Sequence, residues 1–140
     1  TYTDELRKRH DALASDVDWL GRLSSEEIDK LYMTHDVAVV PSTWEEPFGL
    51  VALEAMAAGL PVIATQSGGL TEIVRPHFNG ALVPRNNAVA LGEALLTFAS
   101  NKELVREYGR NAAGDVKTRF DADRMASKAR AFLELVAGRA

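Results

Sequence analysis

Four short apolar runs, separated by segments of helical length, decide what this chain can fold into. They are VDWLG (17–21), VAVVP (37–41), PVIAT (61–65) and ALVP (81–84). Each is too short for a helix and is bounded by Gly, Pro, Ser or Asp, the usual punctuation of strands. Helical patterns lie between them. Ser24 and Glu27 form an S-x-x-E capping box, and Ile28, Leu31 and Tyr32 then share one helical face. A second helix is expected from Gly49 to about Ala58, stopped by Gly59 with Pro61 beyond. The segment GLTEIV supplies a third, shorter one. This alternation predicts an α/β fold: a Rossmann-like, doubly wound parallel sheet of about four strands with helices on both faces.

Three helical patterns follow with no further strand: Asn87 to Ser100, Lys102 to about Lys117, and Asp123 to Val136. The domain therefore closes in a helical C-terminal tail. In the last pattern Met125, Ala129, Phe132 and Val136 step by four, three and four, which marks a packing stripe. A length of 140 residues favours a single domain over 1–140 with a sizeable core. The first element, DELRKRHDALA, begins as a helix, whereas a doubly wound sheet starts with a strand. The chain is therefore expected to begin partway through a domain.

Composition excludes several functions. Net charge is −4 and the pI is near 5.4, which argues against nucleic acid as a partner, because such proteins carry a basic face. There is no cysteine, so disulfides and thiolate metal sites are excluded. The charged N-terminus has no apolar signal segment. The longest near-apolar run, 49–65, contains Glu54, Gly59 and Pro61 and falls short of the roughly 20 residues of a membrane span. These features predict a soluble, cytoplasmic protein.

Between residues 41 and 64, PSTWEEPFGLVALEAMAAGLPVIA places Glu45 and Glu46 before a glycine and one acid, Glu54, inside an apolar stretch. Glu46 precedes Pro47, which pushes it toward extended geometry and into the loop. Gly49 lets the backbone turn tightly, and the helix after it opens with unpaired N–H groups. In open α/β sheets ligands bind beyond the carboxyl ends of strands. Strand end, glycine and helix start together suggest phosphate held by the amides around Phe48, Gly49 and Leu50. Glu54 is expected to be embedded in the apolar run with its carboxylate tilted back toward the same site. A buried lone carboxylate is costly without polar partners, and sugar hydroxyls are good ones. A nucleotide sugar, with hydroxyls on both sides of its phosphates, suits two acids flanking one phosphate site. Two alternatives stay open: Glu54 could pair with an arginine or backbone N–H groups, and Glu46 could simply favour the helix dipole. Gly68 and Gly69 either let the backbone approach a ligand at a strand end or form a plain turn.

The segment PSTWEEPFGLVALEAMAAGLPVIATQSGGLTEIV resembles the signature of retaining glycosyltransferases of the GT-B fold, the family 4 type. Its hallmark is a glutamate, seven residues and a second glutamate, a spacing that selects Glu46 and Glu54 rather than Glu45. VDWLGRLSSEEIDKLYMTHDVAVVPS and GGLTEIVRPHFNGALVP resemble the flanking segments. The resemblance implies that Glu46 contacts the donor sugar, Glu54 holds the ribose, and the amides of Phe48, Gly49, Leu50 and Val51 bind sugar and diphosphate. It places Arg22 and Leu23, after WLG, near the nucleotide base. It further implies an incomplete C-terminal nucleotide-sugar-binding domain. By the resemblance, the acceptor-binding N-terminal domain and the segment that supplies a cationic pair to the diphosphate are expected to lie outside these 140 residues. On this basis the chain is expected to bind a nucleotide diphosphate sugar, to need no cofactor or metal, and to be inactive alone. Any membrane association would come through absent regions. Rival readings are a sugar-nucleotide epimerase of the same fold and a non-catalytic Rossmann-like module that binds a protein.

Other motifs carry blander readings. Asp121-Ala122-Asp123 precedes a helical pattern and is expected to cap it. His10, His35 and His77 lack second ligands at metal spacing, so no metal site is expected. Ser67 sits in QSGGL, which lacks the first glycine of a nucleophile elbow.

Overall fold

The computed structural model describes residues 2–9, 16–121, 126, 127 and 130. In chain order its elements are α1 (Tyr2–Arg9), α2 (Ser25–Thr34), β1 (Ala38–Val40), α3 (Leu50–Ala57), β2 (Val62–Thr65), α4 (Leu70–Ile73), β3 (Gly80–Val83), α5 (Ala88–Ser100) and α6 (Lys102–Arg119). The expected final helix at Asp123–Val136 and its stripe lie outside the described residues, save for isolated positions, and so do His10 and Asp123.

The sheet has three parallel strands in the order β1-β2-β3, with Val62 opposite both Ala38 and Gly80. All four residues of β2 are buried, as a central strand covered on both faces requires. Its side chains alternate between two cores. Val62 and Ala64 pack with Ala52, Leu53, Ala55 and Met56 of α3, Leu70 and Ile73 of α4, and Ala112 of α6. Ile63 points the other way, toward Val83, Phe98 and Tyr108. Fully burying a side chain such as Ile63 contributes about 1.5–3 kcal/mol. Helices thus cover both faces, as the apolar alternation predicts.

The number of strands differs from expectation. Residues 17–21 form no strand, and Val17, Trp19 and Leu20 are 43%, 37% and 51% exposed. A strand exists only through a ladder to a neighbour, and among the described residues β1 pairs with β2 alone. Asp18 interrupts the run, and Gly21 turns the chain at φ +70°.

Local signals hold elsewhere. Ser24 caps α2 through the reciprocal bonds of a capping box. The Ser24 backbone N–H, and then its hydroxyl, hold the Glu27 carboxyl below its usual range. Asn87 and Asn101 cap α5 and α6, accepting from the amides of Ala90 and Leu104. The far end of α6 is tied to the segment before β3 by Asp115, whose side chain is 6% exposed. Asp115 accepts from Arg75 at 3.1 Å, Asn79 at 2.9 Å and Arg119 at 2.8 Å. No helix among the described residues is long and apolar enough to cross a membrane.

Candidate functional site

Because all three strands run parallel, the loops that follow them gather at one edge of the sheet. They are 41–49 after β1, 66–69 after β2 and 84–87 after β3. A cavity of about 490 Å3 opens at the end of β1, lined by Val39, Val40, Pro41, Ser42, Thr43, Trp44, Glu46, Gly49 and Val51.

Glu46 reaches this cavity from an irregular loop, and its position is fixed from two sides. Its carboxylate Oε2 accepts from the hydroxyl of Ser42, itself 5% exposed, at 3.2 Å. Ser42 is held in turn by Thr65 at the end of β2, whose Oγ1 donates to the Ser42 carbonyl at 2.7 Å. The Glu46 backbone is clamped by the neighbouring loop. Its N–H donates to Ser67 Oγ at 3.0 Å, and its carbonyl accepts from the Gly69 N–H at 2.8 Å. Ser67, 1% exposed, also donates to the Trp44 carbonyl.

This clamp explains the glycine pair. A Cβ at Gly68 would lie 2.1 Å from the Glu46 carbonyl oxygen, and one at Gly69 would lie 2.5 Å from that of Phe48. Of the two readings open for these glycines, the structure shows close packing against the Glu46–Phe48 backbone. Neither lines the cavity.

At the start of α3, Gly49 has φ +92° and ψ +44° and supplies no side-chain cap. The N–H groups of Ala52 and Leu53 both turn to the Gly49 carbonyl. Among the described residues the amides of Phe48, Gly49, Leu50 and Val51 find no acceptor. The side chains of Phe48, Leu50 and Val51 are 39%, 62% and 56% exposed and are apolar, so the polar groups these positions offer a ligand are backbone. Free donors at a helix N-terminus favour an anion.

Glu54 departs from expectation. It is exposed, so the desolvation cost inferred from its apolar neighbours does not arise. The buried positions of α3 are Ala52, Leu53, Ala55 and Met56. Leu50, Val51, Glu54, Ala57 and Ala58 form the exposed stripe. Glu54 lies beside Tyr32 of α2, and among the described residues no cation forms an ion pair with it. Burial, then the charge and hydrogen bond of Glu54 and the charge of Asp29, push the Tyr32 hydroxyl above its usual value. Arg22 is exposed and Leu23 half-buried just before the Ser24 cap, and neither lines the cavity.

The structure therefore joins Glu46, Gly49 and Val51 at one cavity, with the free amides alongside, and leaves Glu54, Arg22 and Leu23 off its wall. Residues missed from sequence are Ser42, Trp44 and Ser67, which set or face the Glu46 loop. The hydroxyls of Ser42 and Ser67, each within two residues of a strand end, were the available signal. Among the described residues no three His, Asp or Glu side chains form a group able to hold a metal.

Comparison with known proteins agrees with this architecture. The family model for glycosyl transferases group 1 matches residues 2–115. An uncharacterised glycosyltransferase of Methanocaldococcus jannaschii is 40% identical over 113 residues, 79% of this chain and 28% of that protein. Sucrose-phosphate synthase from Thermosynechococcus elongatus superposes with a TM-score of 0.87 at 33% identity, over 99% of this chain and 34% of that one. The Anabaena protein HepE, solved in complex with UDP, gives a TM-score of 0.86 at 29% identity, over 95% of this chain and 36% of its own. The chain thus spans about a third of the length of each of these three proteins. With a family match over most of its residues and the parallel α/β architecture of its GT-B neighbours, this chain belongs to the group 1 glycosyl transferases.

Proposed function

We propose that this chain is the donor-binding part of a retaining glycosyltransferase that moves a hexosyl group from a nucleoside diphosphate sugar to an acceptor hydroxyl. The observation that carries the reading is the row of free amides at Phe48–Val51 beside the carboxylate of Glu46, at the carboxyl edge of the sheet. Those amides and the helix dipole would hold the diphosphate and stabilise the charge that builds on it as the glycosidic bond breaks. Glu46, pre-oriented by Ser42 and Ser67, would accept hydrogen bonds from sugar hydroxyls. Glu54 would grip the ribose hydroxyls, since its exposure leaves it open to a ligand. Arg22 and Leu23 would face the base, and Gly68 and Gly69 would serve by letting the second loop back the first. The UDP complex of HepE supports this class of ligand. The reading requires no metal, because leaving-group charge falls on amides. It assigns acceptor binding to another domain of the parent protein, so this chain alone binds donor without transferring sugar.

Ligand-observed NMR titration of UDP, GDP and ADP, against the chain and against Glu54→Gln, tests the reading. One nucleotide should bind and the substitution should weaken it. Binding of none at millimolar ligand counts against a nucleotide site.

A further inference from the structure

We infer that Glu45, the neighbour of the spaced glutamate, is a positioning residue that staples the three edge loops into one unit around Glu46. The inference rests on the donor-site reading above. Glu45 lies on the loop after β1. Its Oε2 accepts the Gly68 N–H, on the loop after β2, at 2.9 Å. Its Oε1 meets Arg85 Nη1, on the loop after β3, at 2.8 Å. A carboxylate is suited to this task because its two oxygens accept independently.

The contacts interlock with those of Glu46. Residues 67, 68 and 69 bond in turn to the Glu46 N–H, the Glu45 carboxylate and the Glu46 carbonyl. Without Glu45 the Gly68 amide has no acceptor, the loop after β3 is released, and Ser67 and Gly69 alone hold the peptide of Glu46. The pair is exposed, 68% at Glu45 and 37% at Arg85, and ion pairs in such settings add little to global stability. Its effect is local: it sets the order of the loop that carries Glu46. Arg85 also balances a negative charge next to a site that would receive a diphosphate, whose approach an unpaired Glu45 would oppose.

Amide hydrogen exchange by NMR, on the 140-residue chain, reads the staple without any ligand. Glu45→Ala should speed exchange at Gly68 and Glu46 by about tenfold or more, the change expected on losing a hydrogen bond to a charged acceptor. Glu45→Gln keeps an acceptor for Gly68 and should restore most of the protection there, and Arg85→Gln should leave Gly68 close to wild type. Affinity for whichever of UDP, GDP and ADP binds the wild type should fall about threefold to tenfold in Glu45→Ala, and less in Glu45→Gln, as one hydrogen bond of positioning is lost. Unchanged exchange at Gly68 and Glu46 in Glu45→Ala overturns the staple. Faster exchange with unchanged affinity overturns the positioning role. Faster exchange with no nucleotide bound by the wild type sinks the donor-site reading, and the positioning role with it, while the staple stands.

Discussion

Truncating Asp115 to alanine should be one of the most damaging single changes outside the apolar core. Three groups lose their acceptor at once. Asn79 is fully buried, and after the change its Nδ2 keeps only a long bond to the Ile73 carbonyl at 3.3 Å. A hydrogen bond from a buried amide to a charged acceptor contributes about 1.5–3 kcal/mol. The two arginines count for less. Arg75 and Arg119 are 49% and 36% exposed, so water can replace the carboxylate, and each pair is worth about 0–1 kcal/mol. Arg119 also keeps its bond to the Glu72 carbonyl at 2.7 Å. Together the loss is about 1.5–5 kcal/mol, and at about 3 °C per kcal/mol for a chain of this size the midpoint should fall by about 5–15 °C. Asp115→Asn retains an acceptor for Asn79 and should lose about half as much. Urea denaturation and differential scanning calorimetry measure both variants. A loss below about 0.5 kcal/mol for Asp115→Ala, the range of ordinary surface substitutions, would refute the view that this carboxylate ties α6 to the approach to β3.

Gly68→Ala must push its loop about 1 Å from the Glu46 carbonyl, because a contact of 2.1 Å has to open to the ordinary minimum of 3.0 Å, and it adds a left-handed alanine at φ +43°. With one or two hydrogen bonds of the clamp broken as well, the cost should be about 2–4 kcal/mol, and the amide resonances of Glu46 and Gly69 should shift while those of α6 stay in place. Tyr32 has a raised value in the folded state, so its contribution to stability is present below the usual value of 10 and is lost as pH rises past it. Tyr32→Phe should flatten that alkaline fall in urea denaturation midpoints, and an unchanged slope would show that Tyr32 titrates as it does in the unfolded chain.

Much of the fold was legible because local chemistry and global packing agree. The capping box at Ser24, the stop at Gly59, and the runs at 37–41, 61–65 and 81–84 each name an element that the structure contains. VDWLG misled because composition reports what a strand would like to bury, whereas a ladder needs a partner that no local pattern encodes. Glu54 misled for a related reason. In the run 49–65 nearly every residue is apolar, so periodicity could not tell which stripe of α3 faces the core. The small and large side chains of Ala52, Leu53, Ala55 and Met56 took that side. At the candidate site, the spacing of Glu46, Pro47 and Gly49 placed the loop and the helix start. The hydroxyls that orient Glu46 come from residues 42 and 67, and no reading of one segment joins those two.

The pairing of β2 has a consequence for how the chain acquires its shape. Val62 is matched with Ala38 on one side and Gly80 on the other, and each lies more than a dozen positions away. Neither partnership can form by zipping outward from a tight turn, so each excursion of the backbone must be closed before its own ladder repays the entropy spent. The rate-limiting event is therefore expected to be the arrival of α3 and its neighbours on a still unpaired β2, and lesions at Val62, which packs against α3, should slow refolding more than they speed unfolding.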